Sequence, residues 1–167
     1  MANSGASDNV SGYRINSDTG ALTAIPGSPF PGGDGPASII VTPNGKFAYV
    51  AKFFGGQNNV SGYRIDPRTG ALTAIPGSPF PAGSVPFSLA VAPNGKFAYV
   101  ANQGSNNVSG YAIDRKTGAL RAIAGSPFPA GSTPFSVAVD RSGSFAYRRM
   151  PVRITFPPTQ SIRQPVP

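Results

Sequence analysis

The 167-residue chain contains no cysteine, histidine, glutamate or tryptophan. Those absences remove thiol nucleophiles, imidazole bases, ordinary zinc sites and any Ser-His-Asp triad from its chemistry. Acid–base work falls to Asp8, Asp18, Asp34, Asp66, Asp114 and Asp140, with Lys or Tyr beside them. Long apolar runs are missing too, so no membrane-spanning helix is expected. The start "MANSGASDNVSGYRI" lacks a basic segment followed by an apolar core. No signal peptide is read there, and a cytoplasmic location is the default expectation. The lack of cysteine leaves the redox compartment open. No cofactor is expected.

Charge is sparse at 12% of residues, while 40% are hydrophobic, a balance that argues for a packed core over disorder. The net charge of +8 divides along the chain. Residues 1–147 hold ten of the fourteen Lys and Arg with all six Asp, and Arg148, Arg149, Arg153 and Arg163 supply the rest. Half of the excess therefore lies outside the regular text, and no cluster of cations interleaved with aromatics appears within it. Nucleic-acid binding is not expected.

What is abundant is glycine and proline, 21 and 19 residues, and they fall at fixed points of a long repeat. Aligning Pro36, Pro86 and Pro134 gives periods of 50 and 48 residues, in the range of propeller blades. "SIIVTP" and "SLAVAP" are short β-prone runs, each followed by the Asn-Gly of a tight hairpin. "KFAYVA" then sets Phe47, Tyr49 and Ala51 against Lys46, Ala48 and Val50, a period of two with burial on both faces. "NVSGYRI" (59–65) makes a third strand, "DPRTG" (66–70) a turn, and "ALTAI" (71–75) a fourth strand that ends at "PGSPFP". Three prolines there forbid continuation as a central strand. Four antiparallel strands per unit, repeated radially, make a β-propeller blade.

The recurrent "PNGKFAYVAN", "NVSGYxID", "TGAL" and "PGSPFP" resemble the blades of the seven-bladed β-propeller lactonase family over residues 2–147. The resemblance implies hydrolysis of a sugar lactone such as 6-phosphogluconolactone. It identifies blade-building elements only, and no position here matches a catalytic residue of the family. The fold class expected is all-β, a propeller arc of about three four-stranded antiparallel blades that does not close into a ring. Its parts are a half-blade over 1–31, blades over 36–81 and 86–129, a half-blade over 134–147, and an irregular, basic, proline-rich tail over 148–167. Met1-Ala2-Asn3 aligns with Val50-Ala51-Lys52, so the text starts inside a blade. After Tyr147 it loses the blade period abruptly, which reads as a shifted reading frame or a disordered end. The open edges suggest self-association.

A functional site is single whereas a blade is plural, so the breaks in the repeat mark candidates. In a propeller the innermost strand comes first, and the loops between strands two and three share a face with the connections between blades. On that face "KFFGGQ" replaces "NQGSN", adding Lys52, Phe53 and Phe54, and "PGGDG" brings Asp34. Together these would bind a phosphorylated or carboxylated sugar derivative, a small sugar-lactone ligand. Asp66 and Asp114, with Asn16 in the first copy, read as turn caps. The "NVS" at Asn9, Asn59 and Asn107 fits an N-glycosylation acceptor, yet its recurrence at one strand position says structure. The expected function is that of a lactonase-family propeller fragment without retained hydrolysis. The alternative is a non-catalytic binding or interaction scaffold.

Overall fold

A computed structural model describes residues 1–3, 8–53, 56 and 58–149. Seventeen strand segments and no helix occur among them. The first unit holds β1 (Ala2–Asn3), β2 (Asn9–Val10), β3 (Tyr13–Ile15), β4 (Leu22–Ala24) and β5 (Phe30–Pro31). The second holds β6 (Pro36–Val41), β7 (Phe47–Lys52), β8 (Asn59–Ile65), β9 (Leu72–Ala74) and β10 (Phe80–Pro81). The third repeats it as β11 (Pro86–Val91), β12 (Phe97–Asn102), β13 (Asn107–Ile113), β14 (Leu120–Ala122) and β15 (Phe128–Pro129). A last unit has β16 (Ser136–Val139) and β17 (Ala146–Arg149). All pairings are antiparallel. The described residues form an open series of propeller blades, with β6 beside β11 and β11 beside β16 as innermost strands.

The strand count exceeds the twelve that the repeat suggests, for a physical reason. The prolines of "PGSPFP" break the outer strand without ending it, since Phe80–Pro81 rejoins β8 opposite Val60 and Asn59. Pro81 stands on the free edge, where its missing N–H costs no ladder bond. Across the break the Ser78 hydroxyl accepts the Gly62 N–H at 2.9 Å, and Ser28 and Ser126 do the same for Gly12 and Gly110. The chain thereby satisfies backbone donors that a regular ladder would have used. The glycine in each "NVSGY" is required by packing. A methyl group on Gly62 would stand 2.8 Å from Ile75 Cδ1 and 3.1 Å from Phe80 Cε2.

The core lies between the second and third units. Phe47 through Lys52 are all buried, which agrees with the two buried faces read from the alternation. Tyr49 is fully enclosed and donates to the Gly118 carbonyl of the third unit's turn at 2.7 Å, while Phe47 packs on the bare Cα of Gly118. In the reverse direction Tyr63 donates to Pro31 O and Tyr111 to Pro81 O of the preceding unit. The second unit is thus tied to its neighbours by one tyrosine forward and one back, and the third is tied to the second by Tyr111.

The first unit has the second unit's register where its strands exist. Ala2 faces Val10 and Asn3 faces Asn9, as Ala51 faces Val60 and Lys52 faces Asn59. β17 carries on through Arg148 and Arg149, opposite Val137 and Ser136. Residues 150–167, and with them most of the basic tail, lie outside the described residues.

Candidate functional site

The loop between strands two and three does pack on the connection between blades. Gln103 N–H donates to Val85 O and Gly104 N–H to Ser84 O, both at 2.9 Å, while Phe53 N–H donates to Gly35 O at 3.0 Å. A shared αL residue fixes this junction in each unit. Asp8, Asn58 and Asn106 have positive φ, and their side-chain oxygens accept from the N–H of Gly35, Val85 and Thr133.

Lys52 ends β7 at the rung that holds asparagine in the other units. There Asn102 Nδ2 donates to Asn107 Oδ1 and Ser109 Oγ, and Asn3 repeats the pattern with Asn9 and Ser11. These bonds give the "NVS" asparagines a structural role. Lys52 is only 7% exposed, less open than a loop position suggests. Its ammonium lies under Gly33, where a methyl group would stand 2.6 Å from Nζ, so the glycine permits the close approach. Burial lowers the Lys52 pKa, and the attraction of Asp34 partly opposes that shift. Exposed Asp34 therefore acts on Lys52 by charge across the connection.

Phe53, the next residue, makes a contact of its own. Its ring meets Phe87 edge-on at 5.8 Å, and Phe87 meets Phe135 at 5.0 Å. Phe54 lies outside the described residues. Phe87 and Phe135 were not singled out from the sequence, although they replace Ala37 at one repeat position. The β11 register shifts between Pro86 and Ser88, placing Phe87 in an irregular rung, a device that re-aims a side chain. The result is a row of three aromatic rings that starts at the residue after Lys52.

Other candidates resolve as structure. Asp66 Oδ1 accepts from Arg68 and Thr69 N–H, both at 2.8 Å, and Asp114 holds Lys116 and Thr117 in the same way. Those bonds lower both pKa values. Among the described residues no three acidic side chains gather to hold a metal. A cavity of about 520 Å³ opens at the edge of the first unit, lined by none of Lys52, Phe53 or Asp34.

The sequence model of the seven-bladed β-propeller lactonases matches residues 7–139. The chain belongs to that family. Among solved structures it is similar to a Bacteroides uniformis protein provisionally assigned as a 6-phosphogluconolactonase, with 21% identity and a TM-score of 0.69 over 84% of this chain and 40% of that one. A Bacteroides fragilis protein with the same provisional assignment has 24% identity and a TM-score of 0.66 over 77% and 35%. The periplasmic gluconolactonase of Pseudomonas aeruginosa has 22% identity and a TM-score of 0.61 over 76% and 35%. At these identities the likeness is one of fold. This lactonase-family chain spans about a third to two fifths of the length of those structures. No curated protein matches it. Among the described residues no helix is long and apolar enough to cross a membrane, which says nothing of a β-barrel.

Proposed function

We propose that this chain is a ligand-binding segment of a lactonase-type propeller, taking a sugar lactone or its ring-opened acid on the face that carries Lys52, Asp34 and Phe53. The reading rests on one observation above the rest. Of the three equivalent rungs, only that of the second unit carries a cation, one that Asp34 attracts and that Phe53, the first of a row of rings, follows in the chain. A cation suits the phosphate or carboxylate of such a ligand, and aromatic faces suit the apolar side of a sugar ring.

Hydrolysis requires a base to take a proton from water as it attacks the lactone carbonyl, and a donor for the departing ring oxygen. In this chain only aspartate, lysine and tyrosine could serve, and Asp34 is the carboxylate whose charge acts on Lys52. Binding without turnover is the primary reading for the chain alone. The burial of Lys52 beneath Gly33 favours a second reading, a scaffold whose lysine is a structural replacement for asparagine.

Titration calorimetry with 6-phosphogluconate, run beside an acid-release assay on 6-phosphogluconolactone, separates these. Binding that Lys52→Gln weakens at least tenfold, without acid release, is the expected result. Acid release above the spontaneous rate would replace the binding reading with an enzymatic one. No binding by a folded chain would leave the scaffold.

A further inference from the structure

We propose that Asn94 is a site of self-modification by deamidation, and that the equivalent Asn44 is protected from it. The backbone nitrogen of Gly95 attacks the side-chain carbonyl carbon of Asn94, forming a C–N bond and expelling ammonia to leave a cyclic succinimide. Water then opens that ring. Cleavage at the side-chain carbonyl leaves aspartate in the chain, and cleavage at the backbone carbonyl leaves isoaspartate, whose main chain runs through the former side chain. Water is the only co-reactant.

The two asparagines share their local text. Both stand in "PNGKFAYVA", over 43–51 and 93–101, so in an unfolded chain their rates should be equal. In the folded chain both are exposed, and both following glycines take positive φ, +69° at Gly45 and +66° at Gly95. Neither glycine has a side chain to obstruct ring closure. Each glycine N–H donates to the carbonyl three residues back, Gly45 to Thr42 and Gly95 to Ala92, both at 2.8 Å. The attacking nitrogen is therefore restrained alike in the two turns.

What differs is the residue at the base of the hairpin. Thr42, 4% exposed, donates its hydroxyl to Asn44 Oδ1 at 2.7 Å and accepts the Phe47 N–H at 3.1 Å. The Lys46 N–H also donates to Asn44 Oδ1, at 3.1 Å, so two donors hold that side chain. In the third unit Ala92 takes the place of Thr42 and brings no hydroxyl. Among the described residues Asn94 Oδ1 accepts from the Lys96 N–H alone, at 2.9 Å. An asparagine must rotate out of such bonds to bring its carbonyl carbon against the next nitrogen. Asn44 gives up two of them and Asn94 one, and one net hydrogen bond corresponds to roughly a two- to tenfold difference in rate. The fourth unit carries Ser142 at this position, which has no amide to lose.

The hairpin at Asn94 sets the register of β11 on β12, with Val91 opposite Ala98 and Leu89 opposite Val100. Aspartate there keeps an acceptor for the Lys96 N–H. Isoaspartate adds a carbon to the main chain inside the turn, and so loosens β11, the strand that lies between β6 and β16.

Peptide mapping by mass spectrometry follows both sites at once, in the intact chain aged in mildly alkaline buffer and in the same chain aged in urea. In urea the two asparagines should convert at equal rates. In the folded chain Asn94 should convert at least about threefold faster than Asn44, giving both aspartate and isoaspartate. Ala92→Thr should slow Asn94 to the rate of Asn44, and Thr42→Ala should raise Asn44 to the rate of Asn94. Circular dichroism reports whether each variant is folded, and Ala92→Thr decides the matter where the loss of buried Thr42 unfolds the chain. Equal rates in the folded chain, a faster Asn44, or an Asn94 that stays intact while the urea sample converts would overturn the proposal.

Discussion

The first and third units carry nearly the same strand-turn-strand text, "NVSGYRINSDTGALTAI" against "NVSGYAIDRKTGALRAI", and bury it differently. In the third unit β13 runs unbroken over seven residues, while in the first the same stretch splits into β2 and β3. The difference is supplied by neighbours. β13 has the full length of β12 on one side and the preceding blade against Tyr111. Among the described residues the first unit has only Met1 to Asn3 on that side. A side chain such as Ile or Leu contributes roughly 1.5–3 kcal/mol when fully buried, so Ile15 and Leu22 forgo much of what Ile113 and Leu120 supply. Strand propensity is equal in the two copies, and packing decides which becomes a strand.

Substituting the repeated glycine tests this comparison most severely. Gly62→Ala drives a methyl group into Ile75 and Phe80, both buried, and should destabilise by about 1–3 kcal/mol through overpacking. Gly12→Ala meets Ile25 and Phe30 at the same distances, but beside the open cavity those side chains have room to yield. Its cost should fall below about 1 kcal/mol, at the small end of such substitutions. Urea midpoints that shifted equally would show that the first unit is as tightly packed as the second.

The forward tyrosine gives a second contrast. Tyr49→Phe leaves the Gly118 carbonyl without its partner in a closed interface and should cost about 1–2 kcal/mol. Tyr147→Phe, at the equivalent position on an exposed edge, should change the stability of the single chain by less than about 0.5 kcal/mol. Thermal melts would measure both.

The parts of the fold legible in the sequence were those written by local chemistry. Asn-Gly marked the hairpins, and Asn44 and Asn94 do hold the backbone of Lys46 and Lys96. The alternation of Phe47 and Tyr49 with Ala48 and Val50 marked a strand buried on both faces. The rejoining of Phe80–Pro81 to β8 was not legible, because proline rules describe what a central strand excludes and are silent about an edge. At the candidate site, Lys52 was visible as a break in the repeat. Its burial was not, since that depends on the space left by Gly33 in another segment. Phe87 and Phe135 were likewise visible against Ala37, but their stacking depends on an irregular rung that no residue pattern announces.

Backbone strain separates the units more gently. The connection adopts φ of +59° at Gly35, +54° at Val85 and +47° at Thr133. The left-handed region costs a branched side chain roughly 1–2 kcal/mol, whereas glycine enters it freely. Val85→Gly should therefore stabilise by about 0.5–1 kcal/mol once the extra freedom of glycine in the unfolded chain is subtracted. Gly35→Val should destabilise by the same mechanism. A loss of stability in Val85→Gly would mean that the valine side chain contributes more by its contacts, such as that near Gly104, than its backbone costs.

The smallest contrast lies in the turns and is read by pH. Asn16, Asp66 and Asp114 cap equivalent turns through the same side-chain oxygen. Backbone hydrogen bonds hold Asp66 and Asp114 below the ordinary carboxylate pKa, so the folded state binds their protons less readily than the unfolded state does. Their stabilisation is complete above the ordinary carboxylate value and is lost as pH falls through the lowered folded value. Asn16 has no proton to gain. On acidification the amide protons of Thr69 and Thr117 should shift as their acceptors are neutralised, while that of Thr19 keeps its Asn16 acceptor. All three moving together would point to loss of the blade as a whole. Movement of Thr69 and Thr117 alone would assign the effect to the two carboxylates and leave the first unit's turn, despite its exposed strands, the less acid-sensitive of the three.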